Sequence, residues 1–128
     1  MTTPPILLAV TVLTSMSNEV WQQQLQHQYS AANSVIHLAK LTAEAGLDGV
    51  VCSALEASVI RAELGADFCL VTPGIRLTDN IVQQDDQQRI MTPERAIDHG
   101  AHYLVIGRPI TKASEPLKAL ESIVDSLV

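Results

Sequence analysis

Four short runs of apolar residues, rich in β-branched side chains, recur along this chain. They cover Ile6–Leu13, Gly49–Cys52, Phe68–Val71 and Tyr103–Ile106. An almost uninterrupted apolar run of this length is typical of a parallel strand that is buried on both faces of its sheet. The pattern therefore predicts four parallel strands.

A helical pattern follows each run. The predicted helices cover Ala31–Ala45, Ala54–Leu64, Pro93–His99 and Glu115–Leu127. Capping signals support their ends: Ser53 with Glu56, Thr92 before Pro93 and Ser114 before Glu115 at the starts, and Gly46, Gly65 and Gly100 after the first three helices. The chain is thus predicted to repeat a strand–helix unit four times.

The spacing of apolar residues also predicts which face of two helices is buried. One stripe in the second helix contains Leu55, Val59 and Ala62, and one in the last helix contains Leu117, Leu120, Val124 and Leu127. A stripe of this kind usually packs against the protein interior. Both stripes are therefore expected to face the sheet.

Two α/β architectures are built from this repeated unit: an open, doubly wound sheet, and the (β/α)8 TIM barrel, which needs about 250 residues. The length of 128 residues favours the open sheet. However, no glycine-rich nucleotide loop follows the first strand, and the candidate ligand residues follow the last two strands, where barrels often hold phosphate. This distribution favours a half barrel, in which residues 1–128 form the last four βα units.

Composition excludes several classes of function. With 47% hydrophobic and 17% charged residues, the chain can form a packed core, and its net charge of -6 argues against a nucleic-acid partner. Its longest apolar run is too short to span a bilayer, so a soluble, cytoplasmic protein without membrane contact is expected. The four histidines and two cysteines lack metal-ligand spacing, so no metal site is predicted.

The candidate chemistry lies where two predicted strands end. The last strand runs into Gly107-Arg108, and the third is followed by Pro73 and Arg76. Glycine lets a ligand approach the backbone, and arginine offers a planar, charged fork for phosphate oxygens. Arg108 alone would be typical of a surface arginine, but these features converge on one rim and favour a phosphate site.

Two further segments reach the same rim. Thr14 and Ser15 follow the first strand and can either hydrogen-bond a ligand or cap a turn. The long loop from Leu77 to Met91 is either a lid or a solvated insertion, and its Gln87 could donate to phosphate without adding charge.

Five motifs, in order and spacing, closely resemble the carboxyl-terminal half of bacterial orotidine 5'-phosphate decarboxylases. They are Val10–Met16, Gly46–Ser53, Val71–Arg76, Arg89–Pro93 and Val105–Pro109. That family converts orotidine 5'-phosphate to uridine 5'-phosphate, in pyrimidine biosynthesis, without metal or organic cofactor. The resemblance implies this substrate class and a homodimer.

The resemblance also implies roles for individual residues. Gln87, Gly107 and Arg108 would hold the phosphate, and Arg76 would contribute beside them. Thr14 would lie near the nucleoside, and Pro73 would line the pyrimidine site.

One departure from the family is large. Its catalytic lysines and aspartates belong to the amino-terminal half, in an Asp-x-Lys-x-x-Asp motif, and this sequence contains no Asp-x-Lys. No catalytic residue is therefore assigned in this chain, which is expected to be inactive without an amino-terminal half-barrel partner. Two other functions stay open: a non-catalytic phosphate-binding or assembly module, and a sugar-phosphate decarboxylase or synthase with the same type of barrel.

Overall fold

The computed structural model describes residues 3–77 and 91–128. Within them, four strands form one parallel sheet in the order β1-β2-β3-β4. The strands are β1 (Leu8–Val10), β2 (Gly49–Val51), β3 (Cys69–Thr72) and β4 (Tyr103–Leu104). All four predicted strands are therefore present, although β1 and β4 are shorter than the apolar runs that predicted them.

The helices follow the predicted order. They are α1 (Ala31–Glu44), α2 (Ala54–Leu64), α3 (Pro93–Asp98), α4 (Arg108–Thr111) and α5 (Pro116–Ser126). The one-turn helix α4 and a π-helical segment at Val20–Gln24 were not predicted. The predicted cap at Ser114 is wrong by one position, because Glu115 precedes the first helical residue of α5.

The strand order decides between the two architectures. A doubly wound sheet reverses direction after its first strands, which places helices on both faces. Here each new strand is added on the same side of the sheet. Because βα crossovers are right-handed, this order puts the helices on one face, as in the wall of a barrel.

The core lies between the sheet and the helices. Ala9, Val50 and Leu70 are aligned across the first three strands and face the helical layer. Val35 and Ala39 of α1 pack in the same cluster and have no exposed surface. A smaller cluster around Ile75, Met91 and Ala96 continues this layer towards α3.

The opposite face of the sheet has no helical cover among the described residues. Side chains alternate between faces along a strand, so Val10, Tyr103 and Val105 point away from the helices. They are 60%, 58% and 51% exposed, respectively. In a closed barrel this apolar face would be the interior.

The predicted orientation of the two helical stripes is wrong. Leu55 and Val59 of α2 are exposed, and its buried positions include Ala57 and Ile60 instead. In α5 only Ile123 is buried, whereas the predicted stripe of Leu117, Leu120, Val124 and Leu127 is exposed. The α2 stripe points outward from the helical layer, and no strand within the described residues covers the α5 stripe.

A polar cluster holds the amino-terminal side of β3 and β4. The Leu70 amide donates to His102 Nδ1 over 3.0 Å, and His102 Nε2 lies 3.1 Å from the Ala66 carbonyl oxygen. Since an amide can only donate, Nδ1 is the acceptor in its contact with Leu70. Arg61 donates to the Ala66 and Gly100 carbonyls. Together Arg61 and His102 therefore stabilise the end of the sheet that lies away from the candidate site.

Gly49 is required where β2 approaches β3. A Cβ at this position would overlap the Cys69 carbonyl oxygen and lie 2.7 Å from the Cys69 Cβ. We expect Gly49→Ala to lower the free energy of unfolding by about 1–3 kcal/mol, as overpacking does, measured by urea denaturation. Gly107→Ala is the matched control, because its Cβ would meet no described residue beyond its chain neighbours within 4 Å. Equal stability of both variants would contradict this account.

Candidate functional site

The candidate site lies along the carboxyl ends of the four strands. Thr72 and Leu104 are paired in the register of β3 and β4, and the Val105 amide donates to the Thr72 carbonyl over 3.0 Å. The segments that follow these strands therefore leave the sheet side by side. Because parallel strands end at one edge, Pro73 and Gly107 share this rim with the segment after β1.

A cavity of about 210 Å³ opens at this edge. Its lining comes from the ends of β1, β2 and β3: Val10, Val12, Leu13, Thr14, Ser15, Val51, Cys52 and Pro73. The structure thus brings together Thr14 and Pro73, two of the residues singled out in the sequence. The cavity is smaller than the about 300–1,000 Å³ of pockets for drug-sized ligands, so it suits one flat ring and not a whole nucleotide.

Thr14 is held in place by a turn. The Met16 amide donates to the Leu13 carbonyl over 3.0 Å, which puts Thr14 and Ser15 at the centre of the turn. Thr14 is only 5% exposed and lies at the cavity wall. Thr14 therefore belongs to a turn and also lines the cavity, and its role in ligand binding stays a prediction.

The segment after Pro73 turns back into the protein. Gly74 has a φ of 76°, in the left-handed region that favours glycine. Ile75 then pairs with Met91 and is fully buried. Arg76 is also buried, at 5% exposure, and its Nη1 donates to the Ile75 carbonyl over 2.8 Å. Arg76 is not part of the cavity lining that contains Thr14 and Pro73.

Gly107 and Arg108 lie on the exposed part of the rim. The Gly107 carbonyl accepts from the amides of Ile110 and Thr111 over 2.9 and 3.0 Å, which begins α4. Pro109 is buried and fixes this turn against the protein. Gly107 itself is exposed, and a Cβ built on it would meet no atom of the described residues within 4 Å apart from its chain neighbours.

Gln87 and most of the loop from Leu77 to Met91 lie outside the described residues. The assignment of Gln87 to a phosphate site therefore stays a prediction. Arg108 has interactions of its own, and the role of its guanidinium group also stays a prediction.

Cys52 is a cavity residue to which the sequence reasoning gave no role. It is buried and lines the cavity next to Val51. Cys52 directly follows β2, just as Thr14 and Pro73 follow the ends of β1 and β3. In the sequence it is the last residue of the apolar run Gly49–Cys52, which predicts only a buried position in a strand.

The described residues offer little other reactive chemistry. Partial burial raises the pKa of the Cys69 thiol above its ordinary value, nearby Asp48 raises it further, and Arg61 lowers it. A raised pKa leaves little thiolate at neutral pH. In residues 3–77 and 91–128, no three His, Cys, Asp or Glu side chains are grouped to hold a metal ion, and no helix is long and apolar enough to cross a membrane.

Comparisons with known proteins agree on one family. Residues 2–123 match the profile of the "Orotidine 5'-phosphate decarboxylase / HUMPS family". The chain is 55% identical to orotidine 5'-phosphate decarboxylase of Pseudoalteromonas translucida over 123 residues, which cover 96% of the chain and 51% of that protein. It is 54% identical to the enzyme of Psychromonas ingrahamii over 127 residues, with coverages of 99% and 53%.

A solved structure gives the same result for the fold. The crystal structure of orotidine 5'-phosphate decarboxylase from Lactobacillus acidophilus superimposes with a TM-score of 0.77 at 40% identity, over 96% of this chain and 49% of that one. The chain spans about half the length of the curated relatives it matches. Together with the sequential strand order, this confirms the predicted half-barrel.

Proposed function

Because the chain belongs to the orotidine 5'-phosphate decarboxylase / HUMPS family, we propose that it supplies the substrate-binding half of an orotidine 5'-phosphate decarboxylase. The reaction replaces the carboxylate on C6 of the pyrimidine with a proton and releases CO2 and uridine 5'-phosphate. The observation that carries the proposal is the shared rim, where an exposed Gly107-Arg108 lies at the same sheet edge as the cavity of Thr14 and Pro73.

The phosphate is assigned to the end of β4. Arginine presents several N–H donors in a rigid fork that matches phosphate oxygens. Gly107 adds an exposed backbone, where a Cβ would meet no described residue beyond its chain neighbours within 4 Å. In this assignment Gln87 contributes a neutral donor, and Arg76, being buried, supports the rim from below.

The pyrimidine ring is assigned to the small cavity. Pro73, after β3, supplies a rigid apolar wall, and Thr14, after β1 at the same sheet edge, supplies a hydroxyl group. The volume of about 210 Å³ fits a ring whose ribose and phosphate extend along the rim towards Arg108.

The chemical step requires groups from outside this chain. Breaking the bond to CO2 leaves negative charge on C6, which must be stabilised and protonated by a positioned cation. The sequence has no Asp-x-Lys to provide one. We therefore assign the step to an amino-terminal half barrel, in an assembled enzyme that acts in the cytoplasm without a cofactor.

Calorimetric titration with uridine 5'-phosphate and with uridine tests the binding assignment. We expect the phosphorylated ligand to bind about 100-fold more tightly, because charge-assisted bonds contribute about 1.5–3 kcal/mol each. Arg108→Ala should remove this difference. Lys112→Ala removes the same charge one helical turn away and should preserve it; equal losses in both variants would contradict a specific phosphate site.

A further inference from the structure

The pairing between β3 and β4 is short. It consists of two residue pairs, Val71 with Tyr103 and Thr72 with Leu104. At the amino end of this pairing the His102 amide donates to the Leu70 carbonyl over 2.9 Å. Because so few backbone groups join the two strands, a side-chain bond at this end can contribute a large share of what holds them together.

The His102 side chain forms such a bond. The Leu70 amide donates to His102 Nδ1 over 3.0 Å, so His102 pairs with both backbone groups of Leu70. Leu70 is fully buried, whereas His102 is exposed. The ring therefore satisfies an amide of a buried residue and is itself in contact with solvent, from which a proton can reach it.

This bond exists only while the ring is neutral. A neutral imidazole has one nitrogen that accepts a hydrogen bond, whereas both nitrogens of the charged imidazolium are donors. Protonation of His102 Nδ1 would set its N–H against the N–H of Leu70, and the Leu70 amide would lose its partner. A buried donor without a partner is costly, because it has also given up its bond to water.

Arg61 of α2 also opposes a charged ring. Its Nη2 lies 3.0 Å from His102 Nδ1, and its Nη1 lies 3.3 Å from His102 Nε2. The guanidinium group is held there by the carbonyls of Ala66 and Gly100. Since an arginine stays charged throughout the physiological pH range, a positive charge on the ring would be repelled at contact distance.

Other titratable groups lie on the elements around the ring. They are Asp98 and His99 at the end of α3, Asp67 and Cys69 on the side of β3, and Tyr103 next to His102. Asp98 and His99 line one groove of about 470 Å³ with the ring, but among the described residues Asp98 forms no ion pair with His102. Partial burial and nearby Asp48 raise the pKa of the Cys69 thiol, although Arg61 lowers it. The charge in direct contact with the ring is therefore that of Arg61.

From this geometry we propose that His102 is a proton-sensitive clamp between β3 and β4, closed while its ring is neutral and opened by protonation. Histidine ordinarily changes its charge between about pH 5 and 8, so mild acid would open the clamp. The unfolded chain accepts the proton without losing these bonds, and acid therefore favours the open form. The clamp does not depend on the proposed function, because all partners of the ring lie in residues 61–102, away from the candidate site.

Hydrogen exchange of the Leu70 amide in the full chain is the test. We expect its protection, corrected for intrinsic exchange at each pH, to fall about fivefold between about pH 7.5 and about pH 5.5, because the amide loses its acceptor. The Val105 amide is the internal control. It donates to the Thr72 carbonyl at the other end of the same strand pair, and it should keep its protection.

Three variants separate proton uptake from packing. His102→Asn places an oxygen acceptor near the position of Nδ1 and does not titrate, so the Leu70 amide should stay protected at both pH values. His102→Leu removes the acceptor, and the low protection should appear at both pH values. His37→Asn is the matched control, because it replaces an exposed histidine of α1, and it should behave as the parent chain does.

Three results would overturn the clamp. They are equal pH dependence of Leu70 exchange in the parent chain and in His102→Asn, unchanged protection of the Leu70 amide in acid, and an equal loss at Val105. If His102→Asn does not fold, the comparison of Leu70 with Val105 in the parent chain and in His37→Asn still decides. Exchange is measured without ligand, so failure of the clamp leaves the phosphate site standing, and a chain without phosphate preference leaves the clamp standing.

Discussion

Orotidine 5'-phosphate is expected to be decarboxylated when this chain is mixed with the separately produced amino-terminal half of a relative, and by neither half alone. The chain lacks the Asp-x-Lys sequence that would supply the charged catalytic groups. The amino-terminal half lacks the rim formed by Thr14, Pro73 and Arg108. Within the described residues β1 and β4 each pair on one side only, so we expect the other half to add its strands at these two edges.

The measurement is the ultraviolet absorbance change as orotidine 5'-phosphate becomes uridine 5'-phosphate. Enzymes accelerate reactions by at least about 10⁶-fold, so a small assembled fraction would exceed the uncatalysed rate. An amino-terminal half whose motif lysine is replaced by alanine is the control and should give no turnover. Turnover by this chain alone, or a stable mixed pair without turnover, would contradict the division of roles.

The boundaries of an element were predicted accurately where a particular residue determines each of its ends. Helix α2 begins and ends at the predicted residues, because Ser53 caps its start through the Leu55 amide and Gly65 ends it with a φ of 90°. The strand β1 is shorter than its apolar run. Among the described strands it pairs with β2 alone, and the length of a strand depends on its partner.

The periodicity of apolar residues did not predict which neighbouring element each helical stripe faces. The stripe containing Leu117 has the correct helical spacing, but it lies beyond β4, where the described residues provide no strand to cover it. Periodicity identifies an apolar face and does not identify what covers it. The exposed stripes of α2 and α5 therefore look equivalent in sequence and differ in position.

For the candidate site too, local sequence predicted some features, and others depend on contacts between distant residues. Strand ends correctly predicted that Thr14 and Pro73 lie at one edge, since parallel strands finish together. The burial of Arg76 depends on the turn at Gly74, after which Ile75 enters the core. Arg76 Nη1 then donates to the Ile75 carbonyl. The backbone takes this course because Ile75 pairs with Met91, which is distant from it in the sequence.

Replacing Arg108 by alanine in the two-half enzyme is expected to lower kcat/KM for orotidine 5'-phosphate by about 100-fold. The estimate corresponds to two charge-assisted bonds, or about 3 kcal/mol. The phosphate is remote from C6, but binding energy from a remote group can stabilise the transition state and so affect kcat as well as KM. Arg108→Lys should recover only part of the loss, because a point charge cannot form the bidentate contact.

Orotidine, which lacks the phosphate, separates this role from a structural one. With orotidine as substrate, Arg108→Ala and the parent enzyme should have equal kcat/KM, because the arginine then has no group to hold. Lys112→Ala should match the parent with both substrates, since Lys112 is exposed one turn further along the chain. A fall in orotidine turnover as large as that for orotidine 5'-phosphate would mean that Arg108 supports the fold of the rim and does not hold phosphate.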